Sequence, residues 1–195
     1  VSEPFAAIVL AAGLGTRFGG AKMLATLEDR PILQHVLDVL AVVDPAVTIV
    51  VLGADAEQVE AALEWRSERR IVNPEPERGL SSSLRLGVVA ASAAQAELGI
   101  DAILICLGDQ PRLRSDVVRA LLGTETDRPI VAPRYDDDGS RNPVLLRRPA
   151  WSVAMKTTGD AGLGAFIKAR PELVLEIPFT GGNPDVDRPD DLQTL

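Results

Sequence analysis

The sequence predicts an α/β fold: a Rossmann-like, open, mostly parallel mixed sheet flanked by helices. Three observations carry this. Continuous apolar runs recur at FAAIVLA (5–11), VTIVVLG (47–53) and DAILICLG (101–108), the pattern of parallel strands covered on both faces. Stretches of helical spacing lie between them, which is the alternation of βαβ units. Finally, 195 residues with 46% apolar content suit a single domain, 1–195, with a real core.

Taken in order, 5–11 is the first buried strand. The stretch 31–43 spaces Ile32, Leu33, Val36, Leu37, Leu40 and Val43 for one helix face behind Pro31. His35 falls on the polar side of that helix and reads as a surface residue. After the strand 47–53, a helix over 55–65 begins at Asp55, an N-cap candidate. RIVN (70–73) reads as a short strand. Residues 81–98 open with serines suited to cap a helix and continue Ala-rich. The strand 101–108 follows. Beyond it, PIVAP (129–133) and NPVLLRR (142–148) read as strands joined by the acidic turn YDDDGS, a local antiparallel excursion. Helices near 149–156 and 160–169, a strand over 173–179 and a last helix within 187–195 complete the chain.

Composition narrows the function. A net charge of -8 and a pI near 4.7 argue against general nucleic-acid binding, which needs a basic surface. The sequence shows no uncharged run near the length of a membrane span and no charged-then-apolar leader, so the expected setting is cytoplasmic, with no membrane partner. One cysteine, Cys106, rules out a disulfide framework and reads as core.

From Pro4 to Leu27 the chain holds no Asp or Glu, although Arg17 and Lys22 stand among and after the glycines of VLAAGLGTRFGGAKML (9–24). Glycines after a buried strand let backbone N–H groups turn towards an anion, and the cations add charge. A tight strand-to-helix turn with incidental cations remains an alternative. A dinucleotide loop fits Gly13 and Gly15, but Phe18 occupies the third glycine site and no acid ends a strand about 20 residues on; Asp38 falls in a helix. A Walker A loop is excluded because Met23 follows Lys22.

LICLGDQP (104–111) places Asp109 just beyond the carboxyl end of a central strand, where open α/β sheets bind ligands. A carboxylate there suits Mg²⁺, which takes one or two carboxylates with phosphate oxygens and waters; a turn aspartate is the plain alternative. In NPDVDRP (183–189), Asp185 and Asp187 sit at i, i+2 and share a face if extended. Asp187 or Asp190 could instead cap the last helix. Gly79, Ser81, Ser82 and Ser83 precede a helix that the serines could cap, and their hydroxyls could also read a base edge.

LAAGLGTRFGGAK resembles the nucleotide-binding signature LAAG-x-G/S-x-R-[MF]-G-x-x-K of the nucleotidyltransferase superfamily. Gly-Asp-Gln-Pro and NPDVDRPDDL, similar to D-[IV]-D-T-P-E-D-L, narrow the resemblance to the MobA-like molybdenum-cofactor nucleotidylyltransferase branch. GLSSSL, with LAAG in place of LAGG, looks like its cytidylyl members. The resemblance implies a fold of the nucleotide-diphospho-sugar transferase type and transfer of CMP from CTP to the phosphate of molybdopterin, with pyrophosphate released. It implies Mg²⁺ on Asp109 and Asp187, with Asp185 as the alternative ligand. Arg17 and Lys22 would neutralise triphosphate oxygens, forming with Asp109 the catalytic set. The nucleotide would lie against Leu10, Ala11, Ala12, Gly13, Gly15, Gly79, Ser81, Ser82 and Ser83. A molybdenum hydroxylase is the implied protein partner.

The acceptor side departs from the branch. SRNPVLL (140–146) has Asn142 where relatives read His in G-H-P-V-L. TTGDAGLGAFI (157–167) keeps Asp160 of a G-D-x-G-A-R segment, but Gly164 or a neighbour replaces the Arg. Losing a His and an Arg removes contacts to an anionic acceptor. GTP, another phosphorylated acceptor, or a non-catalytic cofactor carrier for a molybdenum enzyme are the alternatives.

Overall fold

The computed structural model describes all residues except 1, 2, 14, 17, 138, 160 and 161. In chain order the elements are β1 (Phe5–Ala11), the short strands β2 (Thr26–Leu27) and β3 (Arg30–Pro31), α1 (Ile32–Val43), β4 (Val47–Leu52), α2 (Ala56–Ala62) and β5 (Arg69–Val72). Then come α3 (Leu80–Leu98), β6 (Ala102–Leu107), α4 (Ser115–Gly123), β7 (Ile130–Tyr135), β8 (Val144–Arg147), α5 (Trp151–Ala154), α6 (Gly162–Ala169) and β9 (Val174–Phe179). Among the described residues, seven strands form one sheet in the order β5-β4-β1-β6-β8-β7-β9. The strands run parallel except β8, which pairs antiparallel with both β6 and β7. The antiparallel excursion after β7 therefore inserts its return strand into the middle of the sheet. β2 and β3 form a separate antiparallel hairpin.

All seven residues of β1 are buried, because helices cover both faces. Phe5, Ala7, Val9 and Ala11 face α1, α2 and α4, whose contributions include Leu37, Val59 and Val118. Ala6, Ile8 and Leu10 face α3, α5 and α6 through Leu84, Val88, Ala154 and Ile167. Each such Leu, Ile or Val removed from water stabilises the fold by about 1.5–3 kcal/mol. Helix α3 crosses β1 at Gly87, where a Cβ would lie 2.5 Å from Ile8 Cγ2.

Several local expectations change. The second helix ends at Ala62, short of 65, and Asp55 makes no capping hydrogen bond with its side chain. Gly79 occupies the N-cap of α3, again with no side-chain cap, so the serines do not cap it. The last helix is a short 3-10 segment, Pro189–Gln193. Its cap is the Asp191 carboxylate, which accepts from the backbone N–H groups of Asp187 and Arg188 at 2.7 Å each. His35 is half-buried, with Nε2 2.8 Å from the Leu27 carbonyl, tying α1 to the hairpin. Helix α4 is an element that the sequence reading does not anticipate.

Candidate functional site

The end of β1 opens into a cleft of about 310 Å³. Ala12, Gly13, Gly15 and Lys22 form one wall; Gly79, Leu80 and Ser83 form another; Asp187 closes it. Gly15 has φ +57, and a Cβ there would lie 2.5 Å from the Gly20 carbonyl, so the turn requires glycine. The Gly15 carbonyl accepts from Phe18 and Gly19 at 2.9 Å each, curling the loop back. Gly53, just after β4, lies so close that a Cβ would meet the Ala12 carbonyl oxygen at 2.8 Å. The start of the loop is thus seated on the neighbouring strand's end.

Lys22 lies in a 3-10 turn with Met23 buried behind it. Its Nζ is 2.6 Å from Asp109 Oδ2 and 3.1 Å from Asp187 Oδ1. Burial pushes the ammonium towards neutrality, but the two carboxylates outweigh it and its pKa is raised. Val186 explains how Asp187 arrives. Its side chain is fully buried against Leu27 and Ile32, and its N–H donates to the Asp109 carbonyl at 2.9 Å. That contact stitches the closing segment to the end of β6.

Asp185 takes a different place. Gln110 Nε2 donates to its Oδ1 at 2.7 Å and to Ser140 Oγ at 2.6 Å. Asn183 donates to Gln110 Oε1 at 3.2 Å and to the Asn142 carbonyl at 3.3 Å. Burial, with the nearby Asp109 charge, raises the Asp185 carboxyl pKa, against the Gln110 hydrogen bond.

Asn73 is a residue that the sequence reading missed. It is buried at the exit of β5, and its Nδ2 donates to Ser82 Oγ at 2.8 Å and Ser83 Oγ at 2.9 Å. Its Oδ1 accepts from the Glu75 N–H at 3.0 Å, and Ser82 Oγ donates to the Gly79 carbonyl at 2.8 Å. Asn73 therefore pins the Gly79 turn to the start of α3. The Asn-Pro pair at 73–74 was the available signal.

The structure thus brings Ala12, Gly13, Gly15, Lys22, Gly79, Ser83, Asp109 and Asp187 together. Leu10 and Ala11 do not line this cleft: Leu10 lines a second, apolar cavity, and Ala11 packs in the core beside Gly108. Ser81 and Ser82 are buried behind the wall, and Ser81 Oγ has no hydrogen-bond partner among the described residues. Asn142 lines the apolar cavity. Arg17 and Asp160 lie outside the described residues.

The donor set fits Mg²⁺. Carboxylate oxygens of Asp109 and Asp187 approach one point, marked by Lys22 Nζ. Asp109 Oδ1 is buried and has no hydrogen-bond partner among the described residues. Among the described residues no group of three or more His, Cys, Asp or Glu forms a metal centre by itself. Mg²⁺, which shares its shell with phosphate oxygens and waters, needs no such group.

Comparison with known proteins agrees with the architecture. The MobA-like NTP transferase domain model matches residues 7–174. Nicotine blue oxidoreductase of Paenarthrobacter nicotinovorans is 32% identical over 179 residues, covering 86% of this chain and 83% of that protein. The bifunctional protein GlmU of Desulfitobacterium hafniense strain Y51 is 35% identical over 120 residues, 60% of this chain. The match spans about a quarter of GlmU's length. The crystal structure of Rv0371c from Mycobacterium tuberculosis H37Rv superposes with TM-score 0.87 at 26% identity, covering 100% of this chain and 97% of that one. A second structure of Rv0371c, in complex with manganese, gives TM-score 0.83 at 26% identity, covering 98% and 97%.

The sheet order and the glycine loop at the end of β1 define a Rossmann-like α/β protein of the nucleotide-diphospho-sugar transferase type. The chain belongs to the MobA-like NTP transferase family.

Proposed function

We propose that this protein transfers a nucleotidyl group from a nucleoside triphosphate to a phosphorylated acceptor. The observation that carries this reading is the convergence of Lys22, Asp109 and Asp187 at the mouth of the glycine cleft. The loop's backbone and Lys22 would hold the β- and γ-phosphates. Asp109 and Asp187 would hold Mg²⁺, which when bound supplies positive charge against phosphate oxygens. An oxygen of the acceptor phosphate attacks the α-phosphorus and forms a new P–O bond. The bond between the α-phosphorus and the bridging oxygen breaks, and pyrophosphate leaves with the electron pair. Lys22 would offset the charge gathering on that leaving group. Catalysis of this kind rests on positioning and charge, and an acceptor phosphate ionised at neutral pH needs no strong base.

The resemblance of GLSSSL to cytidylyl enzymes supports CTP as donor. The branch as a whole points to molybdopterin as acceptor, a molybdenum hydroxylase as recipient of the product, and a cytoplasmic setting. Asn142 stands where the branch has His, and Gly164 or a neighbour where it has Arg, so the acceptor is the substrate that this chain treats differently.

A second reading comes from the relative named nicotine blue oxidoreductase, which matches most of both chains. Under it the cleft would hold a redox nucleotide. A thermal-shift panel of CTP, GTP, ATP and UTP with MgCl₂, and NADPH in parallel, separates the two readings, because a ligand of the folded state raises apparent stability. Nucleotidyl transfer requires the largest rise with a triphosphate, CTP first. A rise with NADPH and none with any triphosphate overturns it.

A further inference from the structure

Beyond Leu80, which lines the glycine cleft, lies a second cavity of about 160 Å³ that Leu80 also lines. Leu10, Leu84, Ile105, Val144 and Leu163 give it an apolar wall, and Arg141 and Asn142 bring polar groups to it. Arg141 and Ile167 continue from it into a third cleft, where Arg128 and Lys168 stand with Glu176. Arg141 is paired with Glu176 at 2.7 Å. The cationic side chains still outnumber the acid in this cleft, in a chain whose net charge is -8. The three spaces therefore run glycine-lined, apolar, cationic.

Size and shape limit what the middle space takes. An enclosed apolar cavity of about 150 Å³ binds benzene, so the apolar part of this space matches a single six-membered ring or an equivalent short hydrocarbon. A fused pterin would set most of its polar ring edge against Leu10, Leu84, Ile105, Val144 and Leu163, with Arg141 and Asn142 as the polar side chains of the lining, each unpaired group costing on the order of 1–3 kcal/mol. Gly164 lines the cavity, and among the described residues a Cβ there would meet nothing within 4 Å. Gly164, Ile167 and Lys168 share one face of α6 at i, i+3 and i+4, so a ligand passing Gly164 comes next to Lys168.

We infer that the acceptor of this protein is a small amphiphile: a phosphate end reaching past Leu80 into the glycine cleft, one apolar ring beside Gly164, and an anionic group directed to Arg141 and Lys168. This rests on the nucleotidyl-transfer reading and replaces the polar pterin acceptor with a single-ring acid.

The ring-and-anion part is testable without nucleotide. The probe is 3-phenylpropionate, titrated onto the whole protein by ligand-observed NMR, with phenethylamine and acetate as charge and size controls. The expected result is saturable binding of 3-phenylpropionate alone. Gly164→Leu, which fills open space, weakens it at least about tenfold; the double substitution Arg141→Gln, Lys168→Gln weakens it about fivefold or more. The CTP thermal shift is unchanged in both variants, which also shows that they are folded. No saturable binding, equal binding of phenethylamine, or unaltered binding in Gly164→Leu overturns the inference. Failure of the CTP shift in the unsubstituted protein, with probe binding intact, counts against the nucleotidyl-transfer reading and leaves the ring-and-anion site standing.

Discussion

Lys22 and Asp109, far apart in sequence, meet at 2.6 Å beneath the glycine loop. The ammonium also reaches Asp187 at 3.1 Å, so one cation of the acid-free loop is matched by carboxylates delivered from the end of β6 and from the closing segment. The proposed nucleotidyl transfer would use this division: cation and backbone amides on the loop, and the acids proposed to hold a metal delivered from elsewhere.

Lys22→Ala should remove a charged contact to the triphosphate worth about 1.5–3 kcal/mol, or roughly 10- to 100-fold in affinity. It also removes the ammonium that pairs with Asp109 and Asp187. Calorimetric titration with CTP checks this, and unchanged affinity removes Lys22 from the site.

Asp109→Asn should abolish the dependence of nucleotide binding on divalent ions while leaving the fold intact, because it keeps the shape of the side chain. The check is a CTP titration with and without MgCl₂ or MnCl₂. A divalent-ion response equal to that of the unsubstituted protein would reassign the metal ligand.

Asn73→Ala should unpair the Ser83 hydroxyl and release the Gly79 turn. The expected cost is about 1–3 kcal/mol of stability, read by urea unfolding. Apparent KM for the nucleotide should rise more than kcat falls, because Asn73 touches the wall of the cleft and not the phosphates. An unchanged KM would confine Asn73 to stability.

Gly53→Ala places a methyl 2.8 Å from the Ala12 carbonyl oxygen, a backbone atom that cannot swing aside. A loss of about 1–3 kcal/mol follows from overpacking, with weaker nucleotide binding as the loop shifts. Equal stability and equal CTP affinity in the variant would show that the loop does not depend on this seat.

Asp38 gives a pH test away from the site. Burial alone would raise its carboxyl, but hydrogen bonds from Arg66 and Gln34 and the Arg30 charge hold its pKa below the ordinary value. Arg30 lies at 2.6 Å and Arg66 at 2.8 Å. A depressed folded pKa contributes stability above the unfolded value of about 3.9, lost as pH falls through the folded one. Asp38→Asn should lower Tm at pH 7 by a few degrees, for about 1 kcal/mol, and the gap should close as the pH falls through the depressed folded pKa. A gap of constant size from pH 7 to pH 2 would contradict this.

The central strands were legible because their apolar runs are continuous: β1, β4 and β6 stand within a residue of the expected limits. The loop and the aspartates were legible as residue types, Asp185 and Asp187 flanking the fully buried Val186 in the chain. Their division of labour was not readable, since it depends on Gln110 and Lys22 approaching from other segments. Helix α4 escaped because only Val117, Val118 and Leu121 are buried on it and no side chain caps it. The insertion of β8 between β6 and β7 is a tertiary choice that periodicity does not encode. The serines of GLSSSL suit caps or base contacts in the sequence; they make no cap, and the buried Asn73 ties Ser82 and Ser83 into the scaffold of the turn while Ser83 lines the cleft.

The most direct test is calorimetric titration of the protein with CTP in MgCl₂, alongside CMP and NADPH. The account requires one CTP site per chain, much weaker CMP binding because the triphosphate supplies the grip, and loss of CTP affinity in Lys22→Ala. CTP and CMP binding alike, or NADPH binding where CTP does not, would contradict it.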